Sequence, residues 1–171
     1  MRKIVLGLVV ALTVASLLAA PAMAAGKNGP AGKSNIGHLY LYEKDPSTWE
    51  IVEDGAWGKM KYNLSGETFD FVFNGHGLEV GANCTLIYYP DPWPGTGLIC
   101  LGSGTVNEES DVHIMGSVDT GDLPIDTDEN AGAKIWLVLT DDVDCGNQMV
   151  GWNPTEYLFE YDLITFEDTD E

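Results

Sequence analysis

Basic side chains are scarce: 8 Lys and Arg stand against 27 Asp and Glu in 171 residues, a formal charge of −19. So strong a polyanion repels phosphate backbones and anionic lipid, which argues against nucleic acid and membrane-surface partners. Histidine is scarce as well. His38, His76 and His113 show no metal-ligand spacing between any two, which argues against zinc. Long helical periodicity is also missing. From Gly37 onward no stretch of ten or more residues repeats its apolar positions every 3.6 residues, so a helix-containing fold is not expected. The length allows one ordinary globular domain at most. With 10% aromatic residues, five of them tryptophan, there is enough apolar area to fill a core, and the high charge does not mean disorder.

Residues 1–24 carry Arg2 and Lys3, an apolar run from Ile4 to Leu18, Pro21, and the small-residue ending Ala22-Met23-Ala24. That order is expected of a secretory signal peptide cleaved after Ala24. An uncleaved anchor is the rival, and Pro21 with the A-x-A ending favours removal. No cysteine near the cut supports a lipid anchor, and the acidic end at Asp168-Thr169-Asp170-Glu171 has nothing apolar to hold a membrane. The processed chain would keep 6 basic against 27 acidic residues, net −21. Residues 25–36, with Lys27 and Lys33, read as a flexible leader of Gly, Pro and Lys. The domain proper, 37–171, then has Lys44, Lys59, Lys61 and Lys134 against all 27 carboxylates, net −23.

Within that domain, short runs of period 2 recur between turn residues. Strands are expected over 38–42, 57–62, 68–73, 84–89, 97–102, 112–118, 133–140 and 157–166, with a turn at Asn63-Leu64-Ser65-Gly66. Residues 68–73 put Phe69, Phe71 and Phe73 on one face and Asp70 and Val72 on the other, as a half-buried antiparallel strand requires. Residues 133–140 are apolar on both faces, as in a central strand. The last run sets Tyr157, Phe159, Tyr161 and Leu163 against Glu160 and Asp162. About eight strands punctuated by Gly, Pro, Asn and Asp predict an all-β, two-sheet antiparallel β-sandwich, immunoglobulin-like or jelly-roll-like, with a small barrel as the neighbouring solution.

Cys84, Cys100 and Cys145 make an odd number, and export permits oxidation. Cys84 and Cys100 lie on two arms of one hairpin around Pro90-Asp91-Pro92-Trp93-Pro94-Gly95-Thr96, so simple register favours a Cys84–Cys100 bridge with Cys145 free. Pairings 100–145 and 84–145, and reduced thiols, are the alternatives. Asn63-Leu64-Ser65 and Asn83-Cys84-Thr85 satisfy the N-glycosylation pattern, with Asn63 the better acceptor and Asn153 excluded by Pro154.

The densest acidic cluster is Asp119, Asp122, Asp126, Asp128 and Glu129, with Asp141, Asp142 and Asp144 after the next strand. Hard oxygen donors on turns are what Ca²⁺ requires, although the EF-hand pattern is absent. The competing reading is a solvated acidic surface adapted to salt. Trp93, among three prolines, could stack on a sugar ring or a partner protein, or fold back over a sheet edge. Trp49, Trp57, Trp136 and Trp152 read as core or sheet-edge residues. Catalytic signals are thin. The adjacent Glu108 and Glu109 are poorly placed for a glycosidase pair, and Gly102-Ser103-Gly104 lacks the spacing of a nucleophile elbow.

The segment from Gly77 to Leu86, GLEVGANCTL, resembles the turn into a late strand of fibronectin type III and bacterial immunoglobulin-like domains. Leu78 fits that pattern, whereas Val80, Ala82 and Cys84 stand where the family has Pro, Thr and Tyr, so the tyrosine-corner bond is missing. The runs His38-Leu39-Tyr40-Leu41-Tyr42-Glu43-Lys44-Asp45, Asn74-Gly75-His76-Gly77-Leu78, Tyr88 to Gly95 and Ala133 to Val138 also resemble uncharacterised secreted proteins of methanogenic archaea and environmental prokaryotes. That resemblance implies an extracytoplasmic β domain and brings no activity. Together these features predict a non-catalytic secreted or cell-surface β-sandwich in adhesion or envelope interactions, binding Ca²⁺ or a glycan, with an extracellular protein or glycan as partner. The alternatives are a secreted polysaccharide hydrolase and a structural subunit that self-associates by sheet edges.

Overall fold

The computed structural model describes residues 34–170. The expected signal peptide and most of the leader lie outside the described residues. Strand β1 (Ile36–Tyr42) runs antiparallel to β2 (Trp57–Asn63), followed by a two-residue β3 (Ser65–Gly66) and by β4 (Phe69–His76). Then come β5 (Asn83–Tyr89), β6 (Ile99–Thr105), β7 (Asp111–Val118) and β8 (Lys134–Leu139). Short pieces complete the chain: β9 (Val143–Asp144), β10 (Gln148–Met149), β11 (Phe159–Glu160) and β12 (Glu167–Asp168). Two single 3₁₀ turns, Thr140–Asp142 and Pro154–Glu156, are the helical segments among the described residues.

The molecule is all-β. Five strands form one antiparallel sheet in the order β11-β1-β2-β4-β7, and three form another in the order β6-β5-β8. Alternation in the sequence decides which side of the larger sheet is inside. Leu39, Leu41, Met60, Phe69, Phe71, Phe73, Val112 and Ile114 are buried, while their neighbours Tyr40, Lys59, Asp70, Asn74, His113 and Met115 are not. These side chains meet Cys84, Leu86, Tyr88, Leu101, Ile135 and Leu137 of the smaller sheet in one continuous core, the packing of a sandwich. Truncating Phe69 or Phe73 to Ala removes a whole ring from it, a loss of about 3–5 kcal/mol.

β5 and β8 do not alternate. Six of the seven residues of β5 are buried, and four of the six in β8. The reason is a second apolar layer. Ile87, Tyr89, Leu98, Trp136 and Val138 point away from the sandwich core and are covered by Met149, Tyr157 and Phe159. β8 therefore reads as central, yet it lies at the margin of its sheet and is continued by one bridge from Leu137 to Leu158. Because Phe159 then pairs with Tyr42 of β1, this bridge joins the two sheets on one side. On the other side β6 and β7 approach so closely that a Cβ on Gly116 would lie 3.0 Å from the Leu101 carbonyl oxygen.

The continuous strand expected over 157–166 does not form. Tyr157, Leu158 and Phe159 are buried, but Tyr161 and Leu163 are exposed, so the alternation stops at Glu160. The segment instead stitches separate edges together: Leu158 to Leu137, Glu160 to Leu41, Ile164 to Ala133 and Phe166 to Leu123.

The disulfide is Cys100–Cys145, and Cys84 is a free, buried thiol. The expected Cys84–Cys100 bridge fails on register and on side-chain direction. A register shift between Leu86 and Ile87 sets Cys84 opposite Gly104 and Cys100 opposite Ile87. Cys84 therefore faces the sandwich core, whereas Cys100 packs with Ile87 in the second layer. The register sets them several residues apart along the strands, and the one extra residue turns them to opposite faces.

Candidate functional site: a tryptophan cleft

The second apolar layer is incomplete at one end, and the gap is a cavity of about 680 Å³. It is lined by Trp49, Trp93, Trp136, Trp152, Tyr89 and Phe159, with Lys44, Lys134, Asp91 and Glu160 as its charged members. Four of the five tryptophans thus meet in one place. Its size falls in the range of small-molecule sites.

The floor is built from regular strands. Trp136 of β8 and Tyr89 of β5 stack with centroids 3.9 Å apart and planes within 11°. Phe159 of β11 packs edge-on against Trp136 at 5.2 Å. Trp136 is buried, and removal of its ring would expose the second layer. The rim is different. Trp49, Trp93 and Trp152 are 50%, 52% and 42% exposed, an area that burial in a core would normally remove.

Turns hold each rim residue. The Asp45 carboxylate accepts hydrogen bonds from the Ser47 and Thr48 amides, and the Asp45 carbonyl accepts one from the Trp49 amide at 2.8 Å. The Ser47 hydroxyl, which also donates to this carboxylate, and then the Ser47 and Thr48 amides keep the Asp45 carboxyl below its ordinary value. Trp49 itself takes φ of 60°, a backbone region that bulky side chains avoid, and packs edge-on against Phe159. The proline loop bearing Trp93 is pinned to a second loop by Met149 N–H to the Pro94 carbonyl and Gly97 N–H to the Asn147 carbonyl. Trp152 stands between the other two, 5.3 Å from Trp93 and 6.4 Å from Trp49.

The charged members are largely committed. Lys134 is ion-paired with Asp91, which keeps its carboxyl below the ordinary range against the opposing effect of burial. Lys44 donates to the Glu160 carbonyl at 2.9 Å. Burial pushes the Glu160 carboxyl above its ordinary value, with Lys44, the Trp136 indole and Lys134 acting in the opposite sense. Two polar atoms here are buried without a hydrogen-bond partner, Trp136 Nε1 and Glu160 Oε2.

The eight carboxylates expected around Ca²⁺ are not brought together. Among the described residues no three His, Cys, Asp or Glu side chains converge as metal ligands. Asp142 is buried and accepts from Tyr157 and Asn153; Asp128 accepts from Tyr88 and the Asp91 amide. Asp122 accepts from the Asp168 amide and Asp144 from Asn147. Asp119, Asp126, Glu129 and Asp141 are exposed. Asn63, the favoured glycosylation acceptor, uses its amide to hold its own turn, donating to the Thr68 carbonyl and accepting from the Asp70 amide. Asn83 is exposed and accepts from Thr105.

Trp93 lines this cavity together with Trp49, Trp136 and Trp152, which the sequence reads as core or sheet-edge residues. Trp49 and Trp152 carry the same local signal as Trp93, a tryptophan beside turn formers: Asp45-Pro46-Ser47-Thr48 before one, Gly151 and Asn153-Pro154 around the other. No family model, no curated protein and no solved structure matches the chain, so the chemistry of the cleft is argued from its own residues.

Proposed function

We propose that the chain is an exported, non-catalytic β-sandwich that binds glycan at a cell surface or in an extracellular matrix through the tryptophan cleft. One observation carries this reading: three half-exposed indoles, held by hydrogen-bonded turns, surround a cavity whose floor is aromatic and whose polar groups are few. Apolar ring faces stack on the C–H faces of sugars, and sparse polar groups orient the hydroxyls. Export is supported by the charge and hydropathy order of residues 1–24 and by a disulfide, which persists in oxidising compartments. Three antiparallel strands facing a larger sheet support an immunoglobulin-like placement within the sandwich class.

Calorimetric titration of the processed chain with soluble oligosaccharides tests the reading. Saturable heat is expected, accompanied by a change in tryptophan fluorescence. Silence across neutral, acetamido, acidic and amino sugars would refute it.

A secreted polysaccharide hydrolase is the second reading, and one observation favours it. Asp91, held low, and Glu160, pushed up, line the same cleft, and oppositely displaced carboxyls are the arrangement of a base and an acid. Against it, Asp91 is tied to Lys134, and Glu160, half-buried, has its Oε2 covered. Release of reducing ends that Glu160→Gln abolishes would establish the hydrolase in place of the binding module.

A further inference from the structure

Positive charge is confined to very few places. Among the described residues the Lys and Arg side chains are Lys44, Lys59, Lys61 and Lys134. Two of these four line the tryptophan cleft, and they meet two carboxylates there, Asp91 and Glu160. The cleft is therefore balanced in charge while the domain around it is strongly acidic.

The balance is arranged as donor beside acceptor. Asp91 and Lys134 form an ion pair whose side chains remain 30% and 21% exposed. A hydroxyl group can accept from an ammonium and donate to a carboxylate at once, so it engages such a pair without breaking its electroneutrality. An acidic sugar would place a second anion against Asp91 and within the negative field of the domain. An amino sugar would place a cation beside Lys44 and Lys134, and Lys134 already lies 6.0 Å from the Tyr89 ring centre, where an aromatic face would attract a cation. Deeper in, Trp136 Nε1 and the Glu160 carboxyl lie beside one another, near enough for the indole to lower that carboxyl but outside good hydrogen-bond geometry, so the floor too sets a donor beside an acceptor.

We propose that the cleft selects uncharged sugars and that the Asp91–Lys134 pair is its specificity determinant, reading sugar hydroxyls while Trp49, Trp93 and Trp152 stack on the rings. This proposal rests on the glycan reading above and goes further by naming the ligand's charge class and the residues that impose it.

The test is titration of the processed chain, at physiological salt, with neutral gluco-, xylo-, manno- and galacto-oligosaccharides, an acetamido oligosaccharide, an oligogalacturonate and a chitosan oligomer. At least one uncharged ligand is expected to bind, with the acidic and amino oligomers weaker by about tenfold or more. Asp91→Asn and Lys134→Gln are each expected to lower that affinity about tenfold, with far-UV circular dichroism and the melting transition showing a folded protein. If either variant does not fold, the other carries the measurement; the charge ranking on the unmodified chain stands without both. Equal or tighter binding of the oligogalacturonate or the chitosan oligomer overturns the selectivity and leaves the glycan reading intact. Folded variants that bind like the unmodified chain overturn the role of the pair. No binding to any probe removes the glycan reading and this proposal with it.

Discussion

The carboxylate of Asp142 accepts a hydrogen bond of 2.6 Å from the Tyr157 hydroxyl, in the interior, across 15 residues of sequence. The same oxygen accepts from the Asn153 side chain at 2.7 Å, and the Asp142 carbonyl accepts from the amides of Val150 and Gly151. A Cβ on Gly151 would overlap that carboxylate. Asp142 thus fixes both sides of Trp152, and burial together with this carboxylate raises the Tyr157 phenol above its ordinary value.

Asp142→Ala should therefore damage the cleft from a distance. It leaves the buried Tyr157 hydroxyl without its acceptor, at a cost of about 1–3 kcal/mol, and frees the exposed Asn153 amide to water. The melting temperature is expected to fall, and the near-UV circular dichroism of the tryptophans to weaken. A variant with unchanged melting and unchanged indole signals would contradict this placement of Asp142.

Removing the rim indoles should separate binding from stability. Trp49→Ala and Trp93→Ala delete half-exposed side chains, so each is expected to change stability by well under the 3–5 kcal/mol of a core aromatic while lowering glycan affinity about tenfold or more. Trp57→Ala is the internal control. Trp57 packs on His76 away from the cleft lining, and affinity there should not change.

Cysteine chemistry gives a sharper count. With Cys100 and Cys145 joined and Cys84 buried, a thiol-alkylating reagent should label no cysteine in the native chain, one after unfolding without reductant and three after reduction. Burial, helped by Glu156, pushes the Cys84 thiol up to about 11, which keeps thiolate scarce at neutral pH. Because the bridge spans 45 positions, Cys100→Ser is expected to lose about 4 kcal/mol on loop-closure entropy. Labelling of Cys145 in the native protein would refute the pairing.

Glu160 supplies a pH dependence of defined sign. Its folded-state pKa is raised, so the native chain holds this proton more tightly than the unfolded chain does. The associated stability is present below the ordinary glutamate value and is lost as pH rises through the raised one. Glu160→Gln cannot ionise and should melt above the parent at neutral pH, with the gap closing on acidification below the ordinary carboxylate range. A gap that widened on acidification would contradict the burial argument.

Most of the sandwich was legible in the sequence because a half-buried strand writes its burial directly into alternation. Phe69, Phe71 and Phe73 were placed on one face by that rule, and they are buried together. The rule breaks where a strand is covered on both sides, so β8 reads as central although it lies at a margin. It breaks again at 157–166, where apolar residues are buried by successive bridges to different edges. Register was not legible: nothing in the composition marks that Cys84 lies opposite Gly104, four residues from Cys100, or that the shift between Leu86 and Ile87 turns the two cysteines to opposite faces. Nor was the cleft, whose tryptophans stand at positions 49, 93, 136 and 152 and meet only after both sheets close.

Calcium is expected to raise the melting temperature no more than NaCl of equal ionic strength. Asp122, Asp128, Asp142 and Asp144 already accept hydrogen bonds from their own chain, and no three metal-ligating side chains converge among the described residues. A shift specific to millimolar Ca²⁺ would show that acidic loops rearrange into a site.

The central claim is that glycan enters among the rim indoles, and the indole N–H signals of the five tryptophans test it directly. In ¹H–¹⁵N correlation spectra of the protein, titrated with an uncharged oligosaccharide, the signals of Trp49, Trp93 and Trp152 should move saturably and together while that of Trp57 stays in place. Shifts confined to Trp57, or none at saturating sugar, would contradict it.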